Sequence, residues 1–471
     1  MTLHLHEVLV QSAGRPLVDV CDVRLERGRP LTIVGESGSG KSLLAHALMG
    51  TLAPELVLTG RMTLGGVEHD LADRCARRPL WGRTLALLPQ EPVLALDPTM
   101  RVAAQVAEGS ATWRTDRAGA RAGARLLLAG LGLSHELTAY PHTLSGGMAQ
   151  RVAFAAATVG GAQILIADEP SKGLDQRARA DLAALLLRHV DTGGVLLTIT
   201  HDLNLARILG GDAMVMRTAT VLERGPAQQV LSTPQHEYTQ LLLAAEPARW
   251  GRRRTTMDEP RQDGPLVAGT GLTKRYGPKV VFEDLDVVVH QGERLALSGP
   301  SGSGKTTLGN VLLRLGRPDA GTVEHAADLG RGRVQKLYQD PTQAFPARVP
   351  LSLGLADVLR KQRRDPTRLH ELLHALRLDP SLLERRPGQV SGGELQRIAI
   401  IRAALLDPLL LFADEPTSRL DLITQQETIG CLLEQLDPAQ CALILVTHDQ
   451  PLADAVSDRH IALDLAIPAR S

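Results

Sequence analysis

The chain has 471 residues, with 52 basic and 52 acidic side chains and only 2 % aromatics; balanced charge gives no field to recruit a polyanion and few rings are available for stacking bases, which disfavours a dedicated nucleic-acid binder. Its four cysteines (Cys21, Cys75, Cys431, Cys441) form no C-x-x-C pair, so zinc and iron–sulfur sites are not indicated and reduced thiols in a cytosolic protein are expected. No apolar run reaches the roughly 18 residues of a membrane span, and the N-terminus interleaves His4, His6 and Glu7 with apolar residues, which predicts neither a transmembrane segment nor a signal peptide.

Taken in chain order, residues 31–34 read as a buried strand running into a glycine loop, Gly35-Glu36-Ser37-Gly38-Ser39-Gly40-Lys41-Ser42, followed by helical composition over 42–48. This is the strand, phosphate-binding loop, helix pattern. Gln90 closes the next apolar segment, and an Ala/Leu/Arg-rich stretch over 102–133 predicts a helical insertion. Ser145-Gly146-Gly147 opens a further helix. Two short, continuous apolar runs, 164–167 and 195–199, predict strands buried on both faces of a parallel sheet. The first ends in Asp168-Glu169 and the second leads to His201, so these groups belong at the carboxyl ends of strands, where α/β sheets bind ligands.

The same order recurs. A second loop, Gly299-Pro300-Ser301-Gly302-Ser303-Gly304-Lys305-Thr306, is followed by Gln339, a helical stretch over 351–378, Ser391-Gly392-Gly393, Asp414-Glu415 and His448. The offset between copies is 264 at the loop lysines (305 minus 41) and 249 at the glutamines (339 minus 90). It is 246 at both the serines (391 minus 145) and the aspartates (414 minus 168). The deletions therefore fall where loops absorb them, while the 23-residue step from serine to aspartate is kept. Residues 1–243 and 266–471 are expected to be the two domains, with a polar linker over 244–265.

The chemistry follows from residue type. Glycines let loop amides turn toward phosphate oxygens at a helix start, and lysine brings a point charge to the β- and γ-phosphates. Ser42 and Thr306 offer hydroxyls to a magnesium ion, Asp168 and Asp414 carboxylates to the same ion, and Glu169 and Glu415 are placed to polarise an attacking water. Small residues at Ser145 and Ser391 expose amide donors that can grip a terminal phosphate.

With Gln150-Arg151 and Gln396-Arg397 closing the Ser-Gly-Gly motifs, and Asp-Glu-Pro and Thr-His-Asp in both halves, the chain resembles the ATP-binding-cassette (ABC) ATPases over nearly its whole length. The resemblance implies an α/β fold of two tandem P-loop NTPase domains, each a mainly parallel sheet core with a helical insertion subdomain. It implies ATP and Mg2+ as cofactors, with Gln90 and Gln339 joining the magnesium shell and His201 and His448 acting beside the catalytic glutamates. Two composite sites are expected, Lys41, Ser42, Gln90, Asp168, Glu169 and His201 facing Ser391-Gly392-Gly393, and Lys305, Thr306, Gln339, Asp414, Glu415 and His448 facing Ser145-Gly146-Gly147. Tyr276 stands where the family stacks an aromatic on adenine; the first half has no aromatic between Met1 and Leu80. Lys172 and Arg419, in the loops after Asp-Glu-Pro, receive no role.

Glu223-Arg224-Gly225-Pro226 and the segment 231–242, with Leu88-Pro89-Gln90-Glu91-Pro92, are similar to the dipeptide, oligopeptide and nickel importer branch. That likeness implies an energy-coupling ATPase for peptide or metal-chelate uptake, peripheral on the cytoplasmic membrane face. It would work with two membrane-spanning permease subunits and an external substrate-binding protein, and with no nucleic acid. The alternative, a soluble tandem ATPase acting on ribosomes or DNA, is opposed by the short linker and the absence of cysteine pairs.

Overall fold

The computed structural model describes residues 2–251, 264–300, 302–330, 332–363, 365–418, 420–436 and 440–463. Ser301, Arg419 and most of the expected linker lie outside the described residues. The chain divides into two compact units, Met1–Leu243 and Ala244–Ser471.

The first unit contains β1 (Leu3–Ser12), β2 (Arg15–Leu25), β3 (Leu31–Val34), β4 (Val57–Leu64), β5 (Val67–Asp70), β6 (Leu85–Leu88), β7 (Ile164–Asp168), β8 (Val195–Thr200), β9 (Asp212–Arg217) and β10 (Thr220–Pro226). They form one sheet in the order β5-β4-β1-β2-β10-β9-β3-β8-β7-β6. From β9 to β6 every pairing is parallel. This half is the expected parallel core, and its strands read as unbroken apolar runs because both faces are covered. In β7, Ile164 and Ile166 enter one hydrophobic cluster while Leu165 and Ala167 enter another on the opposite face. β5, β4, β1 and β2 form an antiparallel addition that the sequence reading does not include, joined to the core through β10, which pairs antiparallel with β9 and in parallel with β2.

The second unit holds β11 (Val267–Tyr276), β12 (Lys279–Val289), β13 (Arg294–Ser298), β14 (Ala320–His325), β15 (Val334–Leu337), β16 (Leu410–Asp414), β17 (Ala442–Val446) and β18 (Arg459–Ala462). A five-stranded parallel sheet runs β15-β16-β17-β13-β18, and β12-β11-β14 form a separate antiparallel sheet. The two-faced packing repeats: Leu410 and Phe412 of β16 enter one cluster, Leu411 and Ala413 the other.

The helical insertions form as expected, with helices Val102–Glu108 and Arg117–Gly130 in the first unit and Leu351–Gln362 and Thr367–Ala375 in the second. Among the described residues no helix is long and apolar enough to cross a membrane.

Candidate nucleotide-binding and hydrolytic site

Each glycine loop leaves the carboxyl end of a buried parallel strand, β3 or β13, and opens the helix Lys41–Met49 or Lys305–Leu312. The first glycine of each loop is required by close approach as well as by backbone conformation. Gly35 has φ 151° and a Cβ there would lie 2.1 Å from the Met216 carbonyl oxygen; Gly299 has φ 142° and would meet Leu463 O at 2.3 Å. The loops are therefore pressed against the neighbouring strand or its exit, where a side chain at the first position would not fit.

The loop lysines are buried and curl over their own loops. Lys41 Nζ donates to Gly35 O at 2.8 Å, Glu36 O at 2.7 Å and Ser39 Oγ at 3.2 Å, and Lys305 Nζ donates to Gly299 O at 2.9 Å and Pro300 O at 2.8 Å. Next to them the hydroxyl of Ser42 donates to Asp168 Oδ1 at 2.9 Å, and that of Thr306 to Asp414 Oδ1 at 3.0 Å. A hydroxyl and a carboxylate oxygen in contact make an all-oxygen pair of the kind magnesium selects, so the donor set fits that ion in both units.

The adjacent glutamates occupy strained backbone, at φ 46° for Glu169 and 45° for Glu415. Their amides are held by the next strand or its end, Glu169 N to Ile199 O at 2.7 Å and Glu415 N to Val446 O at 3.0 Å. This turns each carboxylate toward a histidine: Glu169 Oε2 lies 2.7 Å from His201 Nδ1, and Glu415 Oε1 lies 3.3 Å from His448 Nδ1. In the second unit Gln339 Nε2 also donates to Glu415 Oε2 at 2.8 Å. Among the described residues, Gln90 makes no matching bond to Glu169 in the first.

Electrostatics separate the paired carboxylates. Burial pushes Asp168 up, and the Glu169 charge adds to it against the Ser42 hydrogen bond; Asp414 is raised by burial in the same way. Burial works to raise Glu169 and Glu415 too, but the hydrogen bond and charge of His201 or His448 prevail, and both glutamates lie below the usual carboxylate range. Burial would lower His201, yet its bond to Glu169 raises it. The glutamates thus stay ionised, as an acceptor of a water proton must be.

Ser145 and Ser391 cap the helices Gly146–Thr158 and Gly392–Ala404, accepting from Met148 N and Glu394 N at 3.3 Å. Only the second cap is reciprocal, because Glu394 Oε2 accepts back from Ser391 N at 2.9 Å. Both serines and the glycines Gly146 and Gly392 are exposed on their own unit, with Gly147 and Gly393 partly covered. Tyr276 ends β11 at 60 % exposure with the Lys274 ammonium 5.6 Å from its ring, and among the described residues no hydrogen bond or ring contact joins it to the loop Gly299–Thr306.

The two halves are alike in machinery, and comparison with known proteins identifies it. The ABC transporter family profile matches residues 18–172 and 282–418. The chain belongs to the ABC transporter family. Its members' ATP-binding domains are ATPases, and both units here are of that kind. The chain is 32 % identical to an Escherichia coli protein described as an uncharacterized ABC transporter ATP-binding protein, YejF, over 96 % of this chain and 91 % of that one. It is 32 % identical to the Agrobacterium fabrum peptidoglycan transport ATP-binding protein YejF (95 % and 87 % covered) and to the Salmonella typhi glutathione import ATP-binding protein GsiA (93 % and 80 %). Among solved structures, RNase-L Inhibitor matches with a TM-score of 0.67 at 23 % identity, covering 97 % of this chain and 88 % of that one, a likeness of fold.

Two features of the site escape the motifs. Lys336, on β15, has its Nζ 3.6 Å from Asp414 Oδ2 and donates to Asn310 Oδ1 at 2.9 Å, with both side chains of the ion pair almost fully buried. Register aligns it with Leu87, since Leu337 pairs with Ala413 as Leu88 pairs with Ala167. The other is Tyr238, whose buried hydroxyl accepts from Glu36 N at 3.1 Å while Arg217 lies over its ring and pairs with Glu36 Oε1 at 3.2 Å. These contacts tie the tail segment to the first glycine loop, through a tyrosine whose partner lies 202 residues away in sequence.

Proposed function

We propose that this ATPase is the energy-coupling subunit of an import system for peptide-like cargo. Support comes from full-length relatives whose names describe peptidoglycan transport and glutathione import, which favours peptides over metal chelates. In this reading residues 1–243 and 266–471 are the cassettes and 244–265 the linker. Each glycine loop binds ATP through its amides and Lys41 or Lys305. Ser42, Asp168 and Gln90, and Thr306, Asp414 and Gln339, hold magnesium, which supplies charge neutralisation on the phosphates. Glu169 and Glu415 accept the proton of the attacking water, and His201 and His448 orient them. The serine and glycine amides of Ser145-Gly146-Gly147 and Ser391-Gly392-Gly393 complete the site of the opposite half.

The observation that carries the reading is the paired geometry of hydroxyl to aspartate and glutamate to histidine in both units, in a chain whose relatives are transport proteins throughout their length. Closure on ATP and reopening after hydrolysis would be transmitted to two permease subunits at the cytoplasmic membrane face, loaded by an external binding protein. The likeness of fold to RNase-L Inhibitor, at 23 % identity, carries no argument for the soluble alternative. Affinity purification of the tagged chain in detergent tests the reading: permease subunits are expected to co-purify, and their absence from solubilised native membranes would overturn it.

A further inference from the structure

We propose that His4, His6 and Asp22 form a binding site for a late first-row divalent transition ion on the antiparallel part of the first unit's sheet. Strand alternation puts His4 and His6 on one face of β1, opposite the buried Leu3 and Leu5. On β2, Asp22 is the direct cross-strand partner of His6, and its carboxylate also touches His4. One ligand atom from each of the three lies within 4.8 Å of the others, and all three side chains are half-buried. Ligands about 2.1 Å from a tetrahedral ion stand roughly 3.4 Å apart, so small side-chain rotations close the set. Two imidazole nitrogens with one carboxylate oxygen suit nickel, copper or zinc; calcium and magnesium prefer oxygen ligands throughout.

The surroundings support a carboxylate that binds through one oxygen. Asp22 Oδ1 faces His4, while Oδ2 accepts from Arg224 Nη1 at 2.9 Å, which anchors the group as outer partners of metal-bound carboxylates do. Thr63 Oγ1 lies 3.4 Å from His6 Nε2 and orients that ring. Two guanidiniums oppose a cation there: Arg224, held on Oδ2, and Arg24, with Nε 3.6 Å from Oδ1, whose side chain is 60 % exposed and can swing away into water. Occupancy would clamp β1 to β2.

Titration calorimetry of the nucleotide-free full chain with Ni2+, in chelator-free buffer, is expected to give one bound equivalent. His4→Gln/His6→Gln should weaken that binding by about tenfold or more. Because the double variant could destabilise β1, Cu2+ spin resonance on the wild-type chain gives a second measure, with hyperfine coupling to two nitrogens expected. Absence of saturable Ni2+ binding, unchanged affinity in a folded double variant, or a copper spectrum with fewer than two nitrogens would overturn the site.

Discussion

Glu169 and Glu415 keep a left-handed backbone that costs a non-glycine residue on the order of 1–3 kcal/mol, and they do so in both halves of a duplicated chain. The strain aims a carboxylate at a histidine, whose hydrogen bond and charge keep it ionised. Glu169→Gln and Glu415→Gln should therefore each fold normally and slow hydrolysis at the altered site by roughly 10²–10⁴-fold. Phosphate release at saturating ATP is the measurement, and full activity in either single variant would refute two working sites. The His201–Glu169 pair also gives a pH dependence. His201 is raised above its ordinary 6.5, so its contribution to stability is complete below pH 6.5 and fades as pH climbs through the raised value. Glu169 lies below its ordinary 4.5, so its contribution is complete above pH 4.5 and fades as pH falls through the lowered value. The stability difference between wild type and His201→Gln, followed by urea unfolding, is expected to be largest between those pH values and to shrink on the alkaline side.

At the scale of elements, the tail buries side chains along its length and touches the first glycine loop through Tyr238. Tyr238→Phe removes the acceptor of Glu36 N and is expected to cost about 1 kcal/mol in urea unfolding and to weaken ATP binding by the first unit. The helix after the second loop is packed as tightly: a Cβ on Gly309 would stand 2.0 Å from the Phe412 ring, and Gly309→Ala should cost about 1–3 kcal/mol. Strands β3, β7 and β8 were legible because burial on two faces writes an unmistakable apolar run, and both loops because glycines and a lysine recur at fixed spacing; β15 and β18, which carry polar residues at their sheet's edges, were not. The antiparallel strands were not, and β1 shows why. Its alternation breaks at Glu7, a residue at φ 50° where the pairing with β4 slips, so Leu3 and Leu5 fall out of phase with Val8 and Val10. Of the site, the repeated motifs disclosed the hydroxyl, carboxylates and histidines. Lys336, Tyr238 and the His4, His6, Asp22 group depend on partners distant in sequence, and no local pattern announces such meetings.

At the scale of the whole molecule, the proposed sharing of each nucleotide between halves gives its own test. In a Glu415→Gln background, the remaining turnover belongs to the site of Lys41, and Gly392→Asp should reduce it about a hundredfold by spoiling the opposing amides. Unchanged turnover would refute the composite site. The halves are also expected to be unequal, because the buried Lys336 ammonium gives Asp414 a permanent countercharge where Leu87 gives Asp168 none. A divalent ion approaching Asp414 meets a like charge, so Mn2+ titrations followed by spin resonance with ATP bound should resolve two affinities in the wild type, and Lys336→Leu should merge them. Depletion of free cation would then idle one half of the chain while the other keeps cycling, giving the duplicated enzyme a graded rather than an all-or-none response to mineral supply.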